Sequence, residues 1–328
     1  MIPAVLALVV IAAVVCVAVY TGVLGDVRNR ALRFFPIHSV EDIKRDIVEM
    51  TEAAPPDATV RLIDQQAADY LANGDGKLPV ANGVLSYMLK YKSGDDAVQG
   101  FLCLPDDYLD KEYPVLIYNR GGNNSGILSM GQLSIDTPYS VAKTGFIILA
   151  TQYRGWGSGS GKDEFGGGDV QDVITLIDLA ERFTFSNGKI YMFGGSRGAM
   201  ETYIVLSRDH RIDAAVAVAG MTDLRKSYQE REDGMKSLYV QTIGGTPEQM
   251  PDEYQKRSAI YWADKIDTPL LIAQGTDDWR VPMHHSVDLY HKMKDLGKDV
   301  ELKLYEGEDH ETAIGGHMGT YLKWLLEH

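Results

Sequence analysis

Two kinds of hydrophobic pattern divide the chain after residue 112. Short apolar runs alternate with longer stretches in which apolar residues recur every three or four positions. The runs predict strands at 114–118, 146–151, 189–193, 213–219, 269–274 and 300–305, and the longer stretches predict helices at 169–182, 197–207, 284–296 and about 316–326. Continuous apolar strands are typical of parallel sheets covered on both faces. We therefore predict an α/β fold with a mostly parallel central sheet and helices on both faces.

A hairpin and an insertion complete this domain, which we expect to occupy residues 83–328. Apolar and polar residues alternate at 85–91 and 98–104, and the turn residues between these stretches indicate a β-hairpin. Residues 221–265 lie between two predicted strands and contain many aromatic side chains. We expect them to form a helical insertion over the carboxyl ends of the strands, where open α/β sheets bind ligands. Most of its aromatic residues are expected to form its own core.

The first 82 residues form two further segments. Residues 1–25 contain no charged side chain and are long enough for a membrane-spanning helix, so we predict an uncleaved anchor, with a cleaved signal peptide as the alternative. Arginines 28, 30 and 33 follow this run, which favours a membrane localisation with a cytoplasmic carboxyl-terminal domain. Residues 26–82 are predicted to be a helical arm or linker, with helices at 39–50 and roughly 59–72.

Charge and cysteine content exclude some classes of protein. The formal net charge is -14, and the first 33 residues contribute three arginines and one aspartate, so the remainder is strongly acidic. Such a surface disfavours nucleic acid and anionic membrane faces as partners. The two cysteines, Cys16 in the predicted anchor and Cys103 in a predicted strand, are not expected to pair, which is compatible with a reducing compartment.

The segment 189–205 has the pattern of a strand, a sharp turn and a helix. Its turn is Gly194-Gly195-Ser196-Arg197-Gly198, a G-x-S-x-G motif. In this context the motif holds a serine in a strained conformation at the end of a strand, where neighbouring backbone passes too close for side chains. The amide of Arg197 would then face negative charge that develops on a substrate oxygen. Ser196 is therefore a candidate nucleophile, although such a turn also occurs with an incidental serine.

A nucleophilic serine needs a base and a carboxylate that orients the base. In α/β hydrolases these groups follow the serine in the order acid, then histidine, each after a strand. Asp277 and Asp278 follow the predicted strand 269–274, and His310 is the only one of the eight histidines that comes directly after a predicted strand. No metal or organic cofactor is expected. A second polar set, His284, Asp288 and His291, could share one helical face, which we interpret as a solvated surface.

The motifs together resemble a known family. From about Tyr113 to Trp324 the sequence is similar to the catalytic domain of the prolyl oligopeptidase group of serine hydrolases, family S9, and to the smaller esterases built on the same domain. The similarity depends on GGSRG at Ser196, on GTDDWRV, which matches the family's G-x-x-D-x-x-V, and on YEGEDH, which ends at His310. The resemblance implies an α/β-hydrolase fold and a catalytic triad of Ser196, Asp278 and His310. Its spacing favours Asp278 over Asp277.

Two departures from the family affect the expected site. Only about 110 residues precede the resemblance, so we expect no β-propeller and favour small substrates or esters. In the segment NRGGNNSG, Arg120 stands where the family often has a Tyr or His that assists the oxyanion. Backbone amides of Gly122 or Asn123, with that of Arg197, are then the expected oxyanion donors. The side chains of Arg120 and Arg197 are candidates for binding a substrate carboxylate, and pairing with acidic neighbours is the alternative.

These expectations define a membrane-anchored serine hydrolase that cleaves an ester or amide bond through an acyl-enzyme. The resemblance favours a peptidase that acts on short peptides. A carboxylesterase with the same triad is the alternative, and an inactive anchored binding module is an alternative of a different class. The expected partners are a small-molecule or short-peptide substrate and the membrane, through the amino-terminal helix.

Overall fold

A nine-stranded sheet forms the centre of the molecule. The computed structural model describes residues 35–53, 83–122 and 137–328. The strands in these ranges are β1 (Glu49–Glu52), β2 (Val84–Ser93), β3 (Asp96–Pro105), β4 (Tyr113–Asn119), β5 (Ile147–Thr151), β6 (Ser186–Gly195), β7 (Ala214–Val218), β8 (Leu270–Gly275) and β9 (Val300–Tyr305). Their order across the sheet is β1-β2-β3-β5-β4-β6-β7-β8-β9. The predicted hairpin is the antiparallel pair of β2 and β3.

The sheet is antiparallel at one side and parallel over the rest. β1, β2, β3 and β5 pair in antiparallel fashion, and every pairing from β5 through β4 to β9 is parallel. All residues of β5, β7 and β8 are buried. Because successive side chains of a strand point to opposite faces, both faces of this part of the sheet are covered. The prediction of an α/β fold with a mostly parallel sheet is confirmed.

Helices follow the strands as the helical spacing predicted, with differences at the carboxyl terminus. They are α1 (Val40–Ile43), α2 (Val170–Ala180), α3 (Arg197–Leu206), α4 (Leu224–Glu230), α5 (Asp233–Ile243), α6 (Pro251–Lys256), α7 (His284–Asp295), α8 (His310–Gly315) and α9 (Met318–Glu327). The helix predicted at about 316–326 is α9, and it is preceded by α8, a short helix that begins at His310 and was not predicted.

The insertion between β7 and β8 consists of α4, α5, α6 and two short 3₁₀ turns. Two of its tyrosines, Tyr239 and Tyr254, are fully buried, and Tyr228 packs against both rings at centroid distances of 6.5 and 6.0 Å. Tyr239 also contacts the ring of Phe165, outside the insertion, at 5.2 Å. These aromatic residues therefore pack as a core within the insertion and join it to the rest of the domain.

The helix predicted at 39–50 is wrong over most of its length. The helix α1 ends at Ile43, and residues 49–52 instead form β1 at the edge of the sheet. Glu49, Thr51 and Glu52 are exposed, so this strand has no apolar alternation that a sequence pattern could detect. The backbone pairing with β2 supplies its conformation. The second helix, predicted at roughly 59–72, lies outside the described residues.

The predicted membrane anchor and membrane localisation must be corrected. Within residues 35–53, 83–122 and 137–328, no helix combines the length and the apolar composition that crossing a bilayer requires. The run that suggested the anchor, residues 1–25, lies outside these ranges. The described part of the chain is thus an α/β fold without a membrane-spanning helix.

The central strands predict where the core is sensitive to substitution. Leu116 lies in β4, is fully buried, and is paired with Ile148 of β5 and Tyr191 of β6. We expect Leu116→Ala to lower the free energy of unfolding by about 2–5 kcal/mol, since it removes buried apolar volume and leaves a cavity. Leu304→Ala on the edge strand β9, where the leucine is 42% exposed, is the matched control. Urea unfolding of both variants tests this, and equal losses would contradict the assignment of the core.

Candidate active site

Ser196 lies on a sharp turn between β6 and α3. Its backbone has φ 56° and ψ -121°, a conformation that non-glycine residues rarely adopt. Its amide donates a 2.8 Å hydrogen bond to the carbonyl of Val218, at the end of the neighbouring strand β7. A Cβ at Gly198 would lie 1.9 Å from the carbonyl oxygen of Asn119, and one at Gly194 would lie 2.2 Å from that of Gly198. The glycines of the motif are therefore required by close backbone contacts.

His310 and Asp278 form a hydrogen-bonded pair. His310 Nδ1 lies 2.6 Å from Asp278 Oδ2, and both side chains are buried. Asp278 follows β8, and His310 begins α8 after β9. A Cβ at Gly275 would lie only 2.3 Å from the carbonyl oxygen of Glu308, so this glycine lets the two loops come together. The pair leaves Nε2 as the ring nitrogen of His310 that can accept a proton.

The carboxylate of Asp278 is held on both oxygens. Oδ1 accepts hydrogen bonds from the amides of Arg280 and Val281 at 2.8 and 2.9 Å, and Oδ2 accepts one from the side chain of Gln274 at 2.9 Å. Burial alone would raise the pKa of Asp278, but the hydrogen bond and charge of His310, with these donors, lower it below its ordinary value. Asp277 is exposed and points its carboxylate at the hydroxyl of Thr276. The geometry therefore brings Asp278, and not Asp277, to His310.

The helix that begins with His310 packs against the serine turn. A Cβ at Gly195 would lie 2.8 Å from the side chain of Ile314 in α8. Ser196 itself is partly exposed at the end of β6. The three predicted triad residues thus follow the carboxyl ends of β6, β8 and β9, which all point to one edge of the sheet.

The loop after β4 approaches the same turn. A Cβ at Gly121 would lie 3.3 Å from the Cβ of Ser196 and 3.0 Å from the carbonyl oxygen of Gly195. Gly122 has φ 82°, a left-handed conformation that favours glycine. Asn123, the other expected oxyanion donor of this loop, lies outside the described residues. Arg197 is the first residue of α3, and the first amides of a helix have no intrahelical acceptor.

The side chain of Arg197 is bound by acidic residues and is not available to a substrate. It is 2% exposed and forms two 2.7 Å hydrogen bonds with Asp163, one of 2.5 Å with Asp169 and one of 3.3 Å with Glu201. Its guanidinium also lies over the ring of Tyr153 at 4.5 Å. The expectation that this side chain binds a substrate carboxylate is therefore wrong, and the alternative of acidic neighbours is correct for Arg197.

The cluster around Arg197 contains more acid than one arginine can neutralise. Glu201 is fully buried and lies within the same cluster as Asp163 and Asp169. Burial, followed by the negative charge of Asp169, raises the pKa of Glu201 well above its ordinary value, even though Arg197 opposes this shift. Glu201 therefore takes up a proton more readily than an exposed glutamate does.

Arg120 is buried, and its contacts in the described part of the chain are with neutral groups. It is 3% exposed, and no salt bridge to it is found among the described residues. Its terminal nitrogens donate hydrogen bonds to the carbonyl oxygens of Gly121 at 3.0 Å and Gln152 at 2.6 Å. Burial and the nearby charge of Arg197 lower the pKa of Arg120 to about 10. Acidic neighbours thus bind Arg197 directly, whereas main-chain oxygens bind Arg120.

Comparison with known proteins identifies the family. The prolyl oligopeptidase family, Peptidase S9, matches residues 132–327. Uncharacterized peptidase YtmA of Bacillus subtilis is 31% identical over 226 residues, which cover 68% of this chain and 85% of that protein. The chain belongs to the prolyl oligopeptidase family. It is accordingly a serine hydrolase, as the motifs predicted.

Other members of the family are longer than this chain. The acylamino-acid-releasing enzyme of Mus musculus is 26% identical over 260 residues, which cover 70% of this chain but 34% of that enzyme. The uncomplexed acylaminoacyl peptidase of Pyrococcus horikoshii has a TM-score of 0.60 at 21% identity, over 75% of this chain and 40% of that one. The chain therefore spans about a third to two fifths of these two relatives, and the structural match supports the shared fold.

Several residues of the candidate active site of this prolyl oligopeptidase family member were not predicted from the sequence. Gln274 holds Asp278, and its polar side chain inside a buried apolar strand was the signal for a special role. Asp163 and Asp169 hold Arg197 from a glycine-rich loop about thirty residues away, which no local pattern connects to the serine turn. Tyr153, whose ring contacts Arg120 and Arg197, was not predicted as part of the site either.

Three side chains near the start of α7 could be taken for a metal site. Suitable atoms of Glu230, His284 and His285 lie within 4.8 Å of one another. However, Nδ1 of His285 accepts hydrogen bonds from the amides of Thr222 and Asp223 at 3.3 and 3.4 Å. In the neutral ring the hydrogen is then on Nε2, which donates to Glu230 at 3.3 Å. The atom that would bind a metal is therefore already occupied by a proton.

The lowered pKa of Asp278 predicts how stability depends on pH. Its carboxyl is ionised more readily in the folded than in the unfolded protein, so it stabilises the fold above about pH 4 and loses this effect as the pH falls through the folded-state pKa. Asp278→Asn should therefore lower the free energy of unfolding more at pH 7 than at pH 3. Urea unfolding at both values tests this, with the exposed Asp277→Asn as control. A loss of equal size at both values would contradict it.

The raised pKa of Glu201 predicts the opposite trend. The unfolded chain ionises this carboxyl above about pH 4.3, whereas the folded protein keeps it protonated to a higher pH, so folding becomes less favourable as the pH rises between the two values. Glu201→Gln removes this penalty. Relative to the wild type, the variant should become more stable from pH 5 to pH 8 in thermal unfolding. An unchanging difference would show that Glu201 is ionised in the fold; Glu49→Gln, at an exposed position, is the control.

Proposed function

We propose that this chain is a peptidase that hydrolyses short peptides through an acyl-enzyme on Ser196, with His310 as base and Asp278 as its orienting acid. The observation that supports the proposal most directly is the 2.6 Å hydrogen bond between His310 and Asp278 on loops that pack beside the strained serine turn. Strained backbone of this kind persists where the surroundings over-determine it, and it is concentrated at active sites.

In the proposed reaction, Nε2 of His310 takes the proton of the Ser196 hydroxyl as its oxygen attacks the substrate carbonyl. The charge of Asp278 stabilises the imidazolium that forms and keeps the ring in the required tautomer. The amides of Arg197 and of the loop at Gly122 stabilise the oxyanion, and Asn123 is the third candidate donor. His310 then returns the proton to the leaving group, and water releases the acyl group by the same steps.

The substrate class is drawn from the family. Relatives of this chain are named as peptidases, among them acylamino-acid-releasing enzymes and dipeptidyl-peptidases. We propose peptides as the substrate on this ground, and short peptides in keeping with the expectation from the sequence; the helical insertion that follows β7 is the candidate wall of the substrate pocket. The proposed triad would also hydrolyse esters, so substrate preference has to be measured.

The proposal predicts a large loss of activity when the hydroxyl oxygen of Ser196 is removed. With the full chain, Ser196→Ala should lower turnover of aminoacyl p-nitroanilides and p-nitrophenyl esters by about 10⁶-fold, as removal of a triad nucleophile does in other serine hydrolases. Asp278→Asn should lower it by about 10⁴-fold, because the histidine loses its orientation. Asp277→Asn, the exposed neighbour, should change it little.

Labelling with a fluorophosphonate provides a second measurement on the same proteins. The wild type should be labelled at Ser196 and the alanine variant should not. A wild type that is neither labelled nor active would favour an inactive binding module and overturn the proposal. Strong ester turnover with no amide turnover would instead favour a carboxylesterase.

A further inference from the structure

The Arg120 side chain bonds to one particular peptide group. Its Nη1 donates a hydrogen bond of 3.0 Å to the carbonyl oxygen of Gly121. That carbonyl and the amide N–H of Gly122 belong to the same planar peptide unit. In a trans peptide the two groups point in opposite directions, and no cis peptide bond is found in the described chain. Fixing the oxygen of Gly121 therefore fixes the direction of the Gly122 amide, which is a candidate oxyanion donor.

The sequence makes this peptide unit easy to rotate. It joins two glycines, and glycine adopts positive and negative φ with similar ease, so rotation of the unit meets no side-chain clash of its own. Gly122 already has φ 82°, while Gly121 lies against the Cβ of Ser196. A rotation of the unit would turn the amide away and bring a carbonyl oxygen to the same place, which would repel an oxyanion.

Tyr153 holds Arg120 in turn. Its hydroxyl donates a 3.1 Å hydrogen bond to the carbonyl of Arg120, and its ring lies 5.0 Å from the guanidinium. The same ring lies 4.5 Å from the guanidinium of Arg197, which follows the nucleophile. Tyr153 has φ 64°, and its amide is bound at 2.9 Å by the hydroxyl of Thr151. One ring therefore contacts the arginines of both segments that supply the proposed oxyanion donors.

Burying a charge without a carboxylate is costly, so the contacts of Arg120 call for an explanation. A guanidinium offers several donors in a rigid planar arrangement and can bind two carbonyls at fixed angles. Its bonds to Gly121 and Gln152 use this property.

We infer that Arg120 and Tyr153 are positioning residues for the oxyanion hole: Arg120 holds the peptide between Gly121 and Gly122 so that the Gly122 amide faces the reacting carbonyl, and Tyr153 holds Arg120. The inference depends on the proposed serine hydrolysis. It differs from binding of a substrate carboxylate by Arg120, because it predicts an effect on the transition state and not on the affinity for substrate.

The test compares Arg120→Gln, Arg120→Lys, Tyr153→Phe and Arg182→Gln in the full chain. Arg182 is a matched control, since it is also buried and bonded to a backbone carbonyl, that of Phe35, together with Asp46. For p-nitrophenyl acetate, Arg120→Gln should lower kcat by about 10- to 100-fold, which is below the loss of a whole oxyanion donor, with KM within about threefold. Arg120→Lys keeps one donor and should lose less. Tyr153→Phe keeps the ring but removes the hydroxyl, and it should lower kcat by up to about tenfold.

A tetrahedral inhibitor separates positioning from general damage. Phenylboronic acid forms an adduct with an active serine that places an oxygen in the oxyanion hole, so its Kd should rise across the Arg120 variants in proportion to the loss of kcat. Arg182→Gln should lower the melting temperature without changing kcat or the Kd of phenylboronic acid. If Arg120→Gln fails to fold, Arg120→Lys and Tyr153→Phe supply the same comparison.

Two results would overturn the inference. Folded Arg120 and Tyr153 variants with kcat and boronate affinity within about twofold of the wild type would show that the contacts do not position a donor. A loss that appears in KM alone would favour substrate binding by Arg120. Fluorophosphonate labelling of the wild type distinguishes these results from failure of the proposed function, because a wild type without label would overturn both.

Discussion

The left-handed backbone of Ser196 is the constraint on which the rest of the site depends. A serine avoids this conformation by itself, so the surrounding contacts must hold it. Gly198 allows Asn119 to approach, Gly195 allows α8 to approach, and the carbonyl of Val218 binds the serine amide. Each of these contacts comes from a different strand or helix. The turn is therefore a product of the assembled sheet and not of the local sequence alone.

The two buried arginines near this turn have different surroundings. Arg197 has three carboxylates around it, and the excess negative charge is reduced by raising the pKa of Glu201. Among the described residues, Arg120 contacts neutral oxygens and aromatic rings, and burial lowers its pKa. Both guanidinium groups lie within 5.0 Å of the centre of the Tyr153 ring, so the positive charge of Arg120 adds to that of Arg197 beside the three carboxyl groups. The donors of Arg197 are thus used by carboxylates, whereas Arg120 bonds to main-chain oxygens.

Much of the fold could be predicted from the sequence because the strands are buried on both faces and hence continuously apolar. β1 could not be predicted, because exposed residues such as Glu49 and Glu52 adopt a strand only through pairing with β2. The pairing of Asp278 with His310 was expected from the family resemblance, and the structure shows that the two strands they follow are adjacent. The environment of Arg197 did not, since Asp163 and Asp169 reach it from a loop that is distant in sequence. Long-range contacts of irregular loops leave no periodic signal.

The proposed acid and base, Asp278 and His310, follow the neighbouring strands β8 and β9, and their loops come together at Gly275. Ser196 follows β6, and β7 lies between β6 and the strands β8 and β9. Sheet strands lie about 4.8 Å apart, so slight changes in the twist of the sheet accumulate over the longer span and not over the shorter one. The two distances within the proposed triad therefore respond differently to changes in the sheet. The distance from Ser196 to His310 depends on how β7 is packed, whereas the distance from Asp278 to His310 is nearly independent of it.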